Sequence, residues 1–235
     1  MADIKILSID LDIIFEPCIQ LYNQDINDAP KGRIWDMLYN VKDIERHLSF
    51  NTSIYQSLFS NLQNMKNYEN IKGIYVGENH SSIIKMCDSI YKENNSKFNV
   101  INIDHHHDIC YSPNQHEDAY VYNTCGCGSW VIYLESKNVL SQYTWLGNYN
   151  SKEYDCHPLK VPYYKEKFEM CLDELPEILK DIDYLYITTS DKWCPPKFRS
   201  VIDNLLINLY TSNVKIINYG HEISHPDNAP QDYFQ

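Results

Sequence analysis

The run Asp104-His105-His106-His107-Asp108 places side chains of metal-ligand type at five consecutive positions, directly after an apolar stretch. In an extended chain the side chains at positions i, i+2 and i+4 point to one side, so we expect Asp104, His106 and Asp108 to converge. Two carboxylates and an imidazole suit Mn²⁺, Fe²⁺, Zn²⁺ or a similar divalent cation. His105 and His107 face the other way, and packing or support of the ligands is expected of them. A polar turn with a chance run of histidines is the alternative interpretation.

Two further motifs carry candidate ligands. Asp10 and Asp12, near the start of the chain, also follow an apolar stretch and share a face. Two carboxylates buried this close together need a cation or a shared proton. In Gly77-Glu78-Asn79-His80-Ser81, His80 stands between an apolar stretch and a helical pattern. Solvated aspartates and a helix-capping histidine are the alternative interpretations of these two motifs.

The elements around these motifs alternate between strand-like and helix-like patterns. Strands are predicted at Ile4–Ile9, Ile71–Val76, Phe98–Ile103, Tyr184–Thr189 and Val214–Asn218, and helices at Ile44–Leu62, Ser81–Tyr91, Leu172–Lys180 and Val201–Leu209. This alternation indicates an α/β fold with a mostly parallel central sheet. The carboxyl ends of parallel strands share one edge, so the motifs are expected to gather there. Cys110–Tyr122 is predicted to be a loop over the site, and Lys92–Lys97 a surface turn.

Composition limits the classes of function. The chain has 235 residues, 43% of them apolar and 22% charged, as is typical of a folded domain, and we expect a single domain over 1–235. Its net charge of −12 argues against nucleic acid as the main partner. It suits a cationic substrate, and an acidic surface that serves only solubility is the alternative interpretation. No apolar run approaches the roughly 20 residues of a membrane span. The chain start lacks a secretory pattern, which predicts a cytoplasmic protein with its eight cysteines reduced.

Together these motifs resemble those of the superfamily of arginases, agmatinases and related deacetylases. His80 matches the histidine of a GGDHS-like motif, Asp104, His106 and Asp108 match a DAHxD triplet, and Asp10 and Asp12 match an SxDxD pair. The resemblance implies a three-layer arginase-like fold, with helices on both faces of the sheet and two Mn²⁺ ions held by these six side chains. The acidic N-terminal strand, these motifs and Cys127-Gly128-Ser129-Trp130 are similar to the divergent branch that includes peptide arginases.

Two departures from the family pattern concern the acidic pair and the histidine motif. In ordinary arginases the SxDxD pair follows the other motifs, whereas Asp10 and Asp12 come first here. Asp191, in Thr188–Asp191, is the reserve candidate for a missing carboxylate. Glu78 and Asn79 stand where the family motif has glycine and aspartate. The family's residue functions other than metal binding are therefore assigned to this chain less directly.

The resemblance implies that the chain hydrolyses the guanidino group of arginine side chains in a precursor peptide, giving ornithine and urea. A hydroxide shared by two Mn²⁺ ions would be the nucleophile, with Asp108 orienting it. The candidate proton donors are His116 and His221, the candidate guanidinium ligands are Glu78 and Glu222, and Trp130 is a candidate wall of a peptide groove or a core residue.

Three other functions fit the same motifs. The first is hydrolysis of free arginine or agmatine. The second is a metal phosphoesterase of the DHH type, because Asp104-His105-His106 matches that signature, although a glycine-rich segment is missing among the 7 glycines. The third is a metal-binding or peptide-binding module without activity. The sequence sets no oligomeric state.

Overall fold

Seven parallel strands form the central sheet in a computed structural model that describes residues 3–16, 49–149, 151, 159–168, 172–190, 194–210 and 215–219. The strands of the described chain are β1 (Ile4–Asp10), β2 (Phe15–Glu16), β3 (Ser49–Phe50), β4 (Gly73–Gly77), β5 (Phe98–Ile103), β6 (Leu140–Gly147), β7 (Tyr163–Lys167), β8 (Tyr184–Thr188) and β9 (Ile216–Tyr219). The sheet order is β7-β6-β5-β1-β8-β4-β9, and every pairing in it is parallel. The short strands β2 and β3 pair with each other in antiparallel fashion.

Helices connect most of the strands. They are α1 (Thr52–Gln63), α2 (Ile83–Asn94), α3 (Pro113–Glu117), α4 (Trp130–Ser136), α5 (Leu175–Asp181) and α6 (Arg199–Tyr210), with a π-helical turn at Asp118–Tyr122 and 3-10 turns at Leu11–Ile14, Met65–Asn67, His80–Ser82, Leu172–Glu174 and Pro196–Phe198. Within the described ranges, no helix has the length and apolar character needed to cross a bilayer.

The side chains of each strand alternate between two separate cores, one on each face of the sheet. On β1, Leu7 and Ile9 pack in the core that contains the apolar side chains of α1, α5 and α6. Ile4 and Ile6 on the same strand pack in the core that contains those of α2 and α4. Two buried faces require apolar residues at nearly every position of a central strand, as β1 shows. The molecule is therefore a three-layer α/β fold, and the predicted fold class is confirmed.

Several element bounds differ from the sequence prediction. Phe98–Ile103 is a strand as predicted, and the other predicted strands are found within two residues over their described parts. The first helix begins only at Thr52, where the Asn51 side chain accepts a hydrogen bond from the Ile54 main-chain nitrogen, 3.0 Å away. β3 precedes it, and 44–48 lie outside the described residues. The predicted turn is partly helix, because α2 continues to Asn94.

Two strands and one helix were not predicted, and one helical segment was predicted as a loop. β6 and β7 were not predicted, since polar residues break their apolar pattern, and the exposed middle of β7 is Tyr-Lys-Glu. The segment Cys110–Tyr122, predicted as a loop, contains α3 and the π-helical turn. Pro113 opens α3 and the Ser112 side chain caps it, which is a typical helix start. α4 was also not predicted.

Gly77, the last residue of β4, is expected to be intolerant of a side chain. A Cβ atom there would clash with the Tyr186 hydroxyl and lie 3.2 Å from the Ser82 Cβ. Gly77→Ala should therefore lower the free energy of unfolding by roughly 1–3 kcal/mol, measured by chemical denaturation. Gly126→Ala is the matched control, because no atom lies within 4 Å of its added Cβ. Adding Tyr186→Phe to Gly77→Ala should restore part of the loss, and a loss unchanged by that substitution would contradict the steric explanation.

Candidate metal centre

The sheet order brings the three sequence motifs to one edge. β1 pairs with β5 on one side and with β8 on the other, and β4 is the next strand beyond β8. Asp10 is the last residue of β1, Asp104 follows β5 directly, and His80 lies three residues after the end of β4. Because all these strands are parallel, the three residues meet at the carboxyl edge of the sheet, where such folds bind ligands.

The acidic pair is held by a turn rather than by an extended strand. After Asp10 the chain enters a 3-10 turn, and the Asp12 main-chain nitrogen donates to Asp10 Oδ1 at 3.0 Å. Both carboxylates nevertheless stay at the sheet edge and are buried. The sequence pattern predicted an extended chain with both side chains on one face, whereas the structure has a 3-10 turn after Asp10.

The triplet after β5 is also a turn. The His106 main-chain nitrogen donates to Asp104 Oδ1 at 2.8 Å, and Asp108 has φ 51°, in the left-handed region. Aspartate tolerates this conformation better than most residues, although it is a strained one. The turn therefore brings Asp104, His106 and Asp108 together, whereas an alternating strand had been expected to do so.

One group of ligand atoms surrounds His80. Its Nδ1 atom lies 2.9 Å from Asp108 Oδ2, 3.1 Å from Asp104 Oδ2 and 3.4 Å from Asp10 Oδ2. Its Nε2 atom lies 2.6 Å from the Ser8 hydroxyl. This contact engages Nε2 and leaves Nδ1 for a ligand, as is usual for a histidine that binds metal. We call these side chains, His80 with Asp10, Asp104 and Asp108, the His80 group.

A second group surrounds His106 and shares Asp104 with the first. His106 Nδ1 lies 3.3 Å from Asp104 Oδ1 and 3.8 Å from Asp12 Oδ2. Ligand atoms of Asp12, Asp104 and His106 all lie within 4.8 Å of one another, as do those of Asp10, His80 and Asp104. We call Asp12, Asp104 and His106 the His106 group. The two oxygens of Asp104 thus face different imidazoles.

The chemistry of these residues fits divalent cations. Asp10, Asp104 and Asp108 are at most 5% exposed, and among the described residues their ion-pair partners are the imidazoles of His80 and His106. His80 Nδ1 is buried and has no well-formed hydrogen bond, although three carboxylate oxygens surround it. Buried carboxylate oxygens and imidazoles that converge in this way could hold a metal ion.

The pKa values of these groups reflect their burial and their mutual charges. Burial and the charge of Asp104 raise the pKa of Asp108 to about 7. Burial would raise the pKa of Asp104 as well, but hydrogen bonds and charges from His106 and His80 lower it well below its usual range. Burial would lower the pKa of His80, yet the surrounding carboxylates raise it well above its usual range.

Residues from other elements hold these ligands in place. The Ser190 hydroxyl donates to Asp10 Oδ2 at 2.6 Å, and Ser190 also has a positive φ of 43°. The Trp145 indole donates to the Asp104 main-chain oxygen at 2.9 Å. The sequence analysis missed Ser8 and Ser190 as supports. The signals that were available are their positions, inside the Asp10 motif and directly after β8.

The other two histidines of the run pack, as expected. His105 Nε2 donates to the Phe15 main-chain oxygen at 2.9 Å. Burial and the neighbouring His106 lower the pKa of His105 to about 4, so it stays neutral. His107 Nδ1 accepts from the Ile109 main-chain nitrogen at 3.0 Å, and its ring stacks on Tyr111.

Trp130 has a different environment from the one expected of a groove wall. Its side chain is fully buried, and its indole nitrogen donates to Asp108 Oδ2 at 2.7 Å. A residue without exposed surface does not line a groove for a peptide. The candidate substrate-binding function of Trp130 is therefore corrected to a contact with a predicted ligand.

The remaining predicted site residues are described only in part. His116 lies in α3, and its half-buried ring stacks on Tyr120 with 4.6 Å between centroids. Glu78 is half-buried, two residues before His80. Their proposed contacts with substrate stay predictions. Three further candidates lie outside the described residues: Asp191, His221 and Glu222.

Comparison with known proteins gives no relative: no family model, no curated protein and no solved structure matches the chain.

Adjacent histidines provide a sharp test of the metal centre. His106→Ala should weaken binding of one Mn²⁺ ion by more than about 100-fold, because it removes a direct ligand. His105→Ala should keep metal affinity but lower the free energy of unfolding by about 1–3 kcal/mol, since the Phe15 carbonyl loses its donor. Isothermal titration with Mn²⁺ and chemical denaturation separate the two effects. Equal metal loss in both variants would contradict the assignment.

Metal affinity should also depend on pH. Because the pKa of Asp108 is about 7 in the metal-free chain, a cation must displace its proton at lower pH. Mn²⁺ affinity should rise as the pH approaches about 7, where Asp108 loses its proton. It should keep rising above that pH, because the pKa of His80 lies well above its usual range and its imidazole must also lose a proton to bind the ion. Titrations in buffers of different ionisation enthalpy measure the protons released. Affinity that is the same from about pH 5 to about pH 8 would show that no buried ligand titrates.

Proposed function

We propose that the chain is a metal-dependent hydrolase that converts arginine side chains of a precursor peptide to ornithine and urea, with two Mn²⁺ ions as cofactors. The observation that carries this proposal is the position of Asp104. Its Oδ2 atom lies 3.1 Å from His80 and its Oδ1 atom 3.3 Å from His106, so one carboxylate belongs to both groups. A carboxylate shared between two imidazole-containing groups is an arrangement suited to two neighbouring ions.

The two groups supply separate ligands for the two ions. His80, Asp10 and Asp108 would hold one ion and His106 and Asp12 the other, with Asp104 common to both. Four carboxylates carry four negative charges when ionised, which two dications balance. Carboxylate oxygens with imidazole suit Mn²⁺ among the metals considered.

The position of the early acidic pair supports the likeness to ureohydrolases. Asp10 and Asp12 lie with His80 and the triplet although they come first in the chain. The six residues that match the superfamily motifs are thus in one place. The set has four carboxylates and two imidazoles without Asp191, which supports the early pair as the source of the acidic ligands.

The chain's own residues have defined functions in this proposal. Two ions held by these residues would supply an activated water as the nucleophile at neutral pH. Asp108 orients that water toward the guanidinium carbon. Glu78 lies two residues from His80, near enough in sequence to bind the cationic guanidinium, and Glu222 is the alternative. His116 or His221 donates the proton that the leaving amine needs.

The substrate is best tested on several candidates in parallel. The chain loaded with Mn²⁺ would be incubated with an arginine-containing peptide, free arginine, agmatine and a short oligonucleotide. Urea release and ornithine in the peptide, detected by mass spectrometry, support the proposal. Urea from free arginine or agmatine alone would assign the small-molecule ureohydrolase instead, and phosphate release would assign the phosphoesterase. Bound Mn²⁺ without any product would indicate a binding module.

Asp104→Ala should abolish both metal binding and urea release, because the substitution removes the carboxylate that both groups share. We expect losses of more than about 100-fold in each. Asp108→Ala should weaken one ion chiefly, because Asp108 belongs to the His80 group and the two groups share only Asp104. Asp88→Ala, at an exposed position on α2, is the control and should keep both properties. Unchanged metal content and turnover in Asp104→Ala would refute the proposed centre.

A further inference from the structure

Trp130 touches the His80 group from inside the protein. It opens α4, its side chain is 0% exposed, and its indole nitrogen lies 2.7 Å from Asp108 Oδ2. Its ring centroid lies 5.1 Å from that of His80 and 5.9 Å from that of Tyr143. The indole thus contacts two members of the group while remaining out of reach of any substrate.

The hydrogen bond acts on the oxygen that also faces His80. Asp108 Oδ2 is 2.7 Å from the Trp130 nitrogen and 2.9 Å from His80 Nδ1. An indole N–H is a donor only, so it does not compete as a metal ligand, and its bond to a carboxylate is charge-assisted. The main chain of Asp108 is fixed separately, since its nitrogen donates to the Tyr111 hydroxyl at 3.1 Å. Trp130 therefore determines where the carboxylate points.

We propose that Trp130 is a positioning residue for one ion only, the ion of the His80 group, and this inference rests on the proposed metal centre. In the described part of the chain, the polar and ring contacts of Trp130 are those with Asp108, His80 and Tyr143. None of them involves Asp12 or His106. Loss of the indole N–H should therefore weaken one ion and spare the other.

The test is Trp130→Phe, which keeps an aromatic ring and removes the donor. Titration with Mn²⁺, followed by the electron paramagnetic resonance signal of the free ion, counts the sites and measures each affinity. We expect two ions in the unmodified chain. In the variant one ion should bind about 10–100-fold more weakly, as is typical for loss of a residue that orients a ligand, and the other should be unaffected. Unchanged affinities, or equal weakening of both ions, would overturn the proposal.

A double-mutant cycle identifies which ion is affected. His80→Ala removes a ligand of the ion in the His80 group, so adding Trp130→Phe to it should cause little further loss of Mn²⁺. His106→Ala removes a ligand of the ion in the His106 group, so adding Trp130→Phe to it should weaken binding of the ion that remains in the His80 group. The opposite pattern would assign Trp130 to the His106 group and overturn the inference.

Trp145→Phe is the matched comparison, because Trp145 supports Asp104, which both groups share, and its loss should not act on one ion selectively. Trp145 is also buried and also donates through its indole nitrogen, but to the main-chain oxygen of Asp104 rather than to a carboxylate. Both variants should lose similar stability on denaturation, and only Trp130→Phe should show selective loss of one ion. The same selective loss in Trp145→Phe would indicate a general effect of packing and overturn the proposal.

A spectroscopic signature distinguishes positioning from simple packing. The chain has four tryptophans, and the indole resonance missing from the proton–nitrogen spectrum of Trp130→Phe identifies Trp130. Diamagnetic Zn²⁺ should shift this resonance in the unmodified chain, because Asp108 then shares its charge with the ion. An unchanged resonance with Zn²⁺ bound would contradict the inference.

These measurements are independent of the proposed reaction. Selective loss of one ion in Trp130→Phe, with no urea release from the unmodified chain, would support the positioning function of Trp130 and contradict the proposed hydrolase activity. Urea release from the unmodified chain, with metal binding unaltered in Trp130→Phe, would support the hydrolase activity and contradict the positioning function of Trp130. A chain that takes up no Mn²⁺ at all would overturn the metal centre and this inference with it.

Discussion

The mutual repulsion of carboxylates buried at one edge of the sheet is the constraint on which the site depends. Asp10, Asp104 and Asp108 are within 3.4 Å of a single imidazole nitrogen and are almost completely removed from water. Like charges at such distances in a medium of low dielectric constant are strongly unfavourable unless cations or protons neutralise them. Burial and the charge of Asp104 raise the pKa of Asp108, which reflects this repulsion. A pair of dications would neutralise all four carboxylates and leave both imidazoles uncharged.

Rigidity of the site comes from elements on both sides of the ligands. Ser8 of β1 engages His80, Ser190 after β8 donates to Asp10, and Trp130 of α4 donates to Asp108. Asp108 and Ser190 both have positive φ angles, which cost free energy and persist only where the surroundings fix them. This stored strain lies at the ligands and at one of their supports, which is where functional sites in proteins tend to concentrate it.

The sequence predicted the parts that depend on residue type and missed those that depend on three-dimensional contacts. The strands rich in Ile and Val and the ligand types were visible, because burial on both faces and metal chemistry each require particular residues. The turns that bring Asp12 and Asp108 into place were not, since local hydrogen bonds rather than strand alternation set them. The burial of Trp130 depends on α4, whose existence the pattern did not reveal.

The order of the motifs along the chain is explained by the order of the strands in the sheet. A metal site at the carboxyl edge depends on which strands are neighbours, and the chain order of those strands is a separate property of the fold. Here β1 lies between β5 and β8, at the centre of the sheet, so the acidic pair that comes first in the sequence reaches the middle of the edge. The Asp104 triplet then lies on one side of it and His80 on the other. The early position of Asp10 and Asp12 in the chain is therefore compatible with a common site, because the order of strands in the sheet brings these side chains to the same edge as His80 and Asp104.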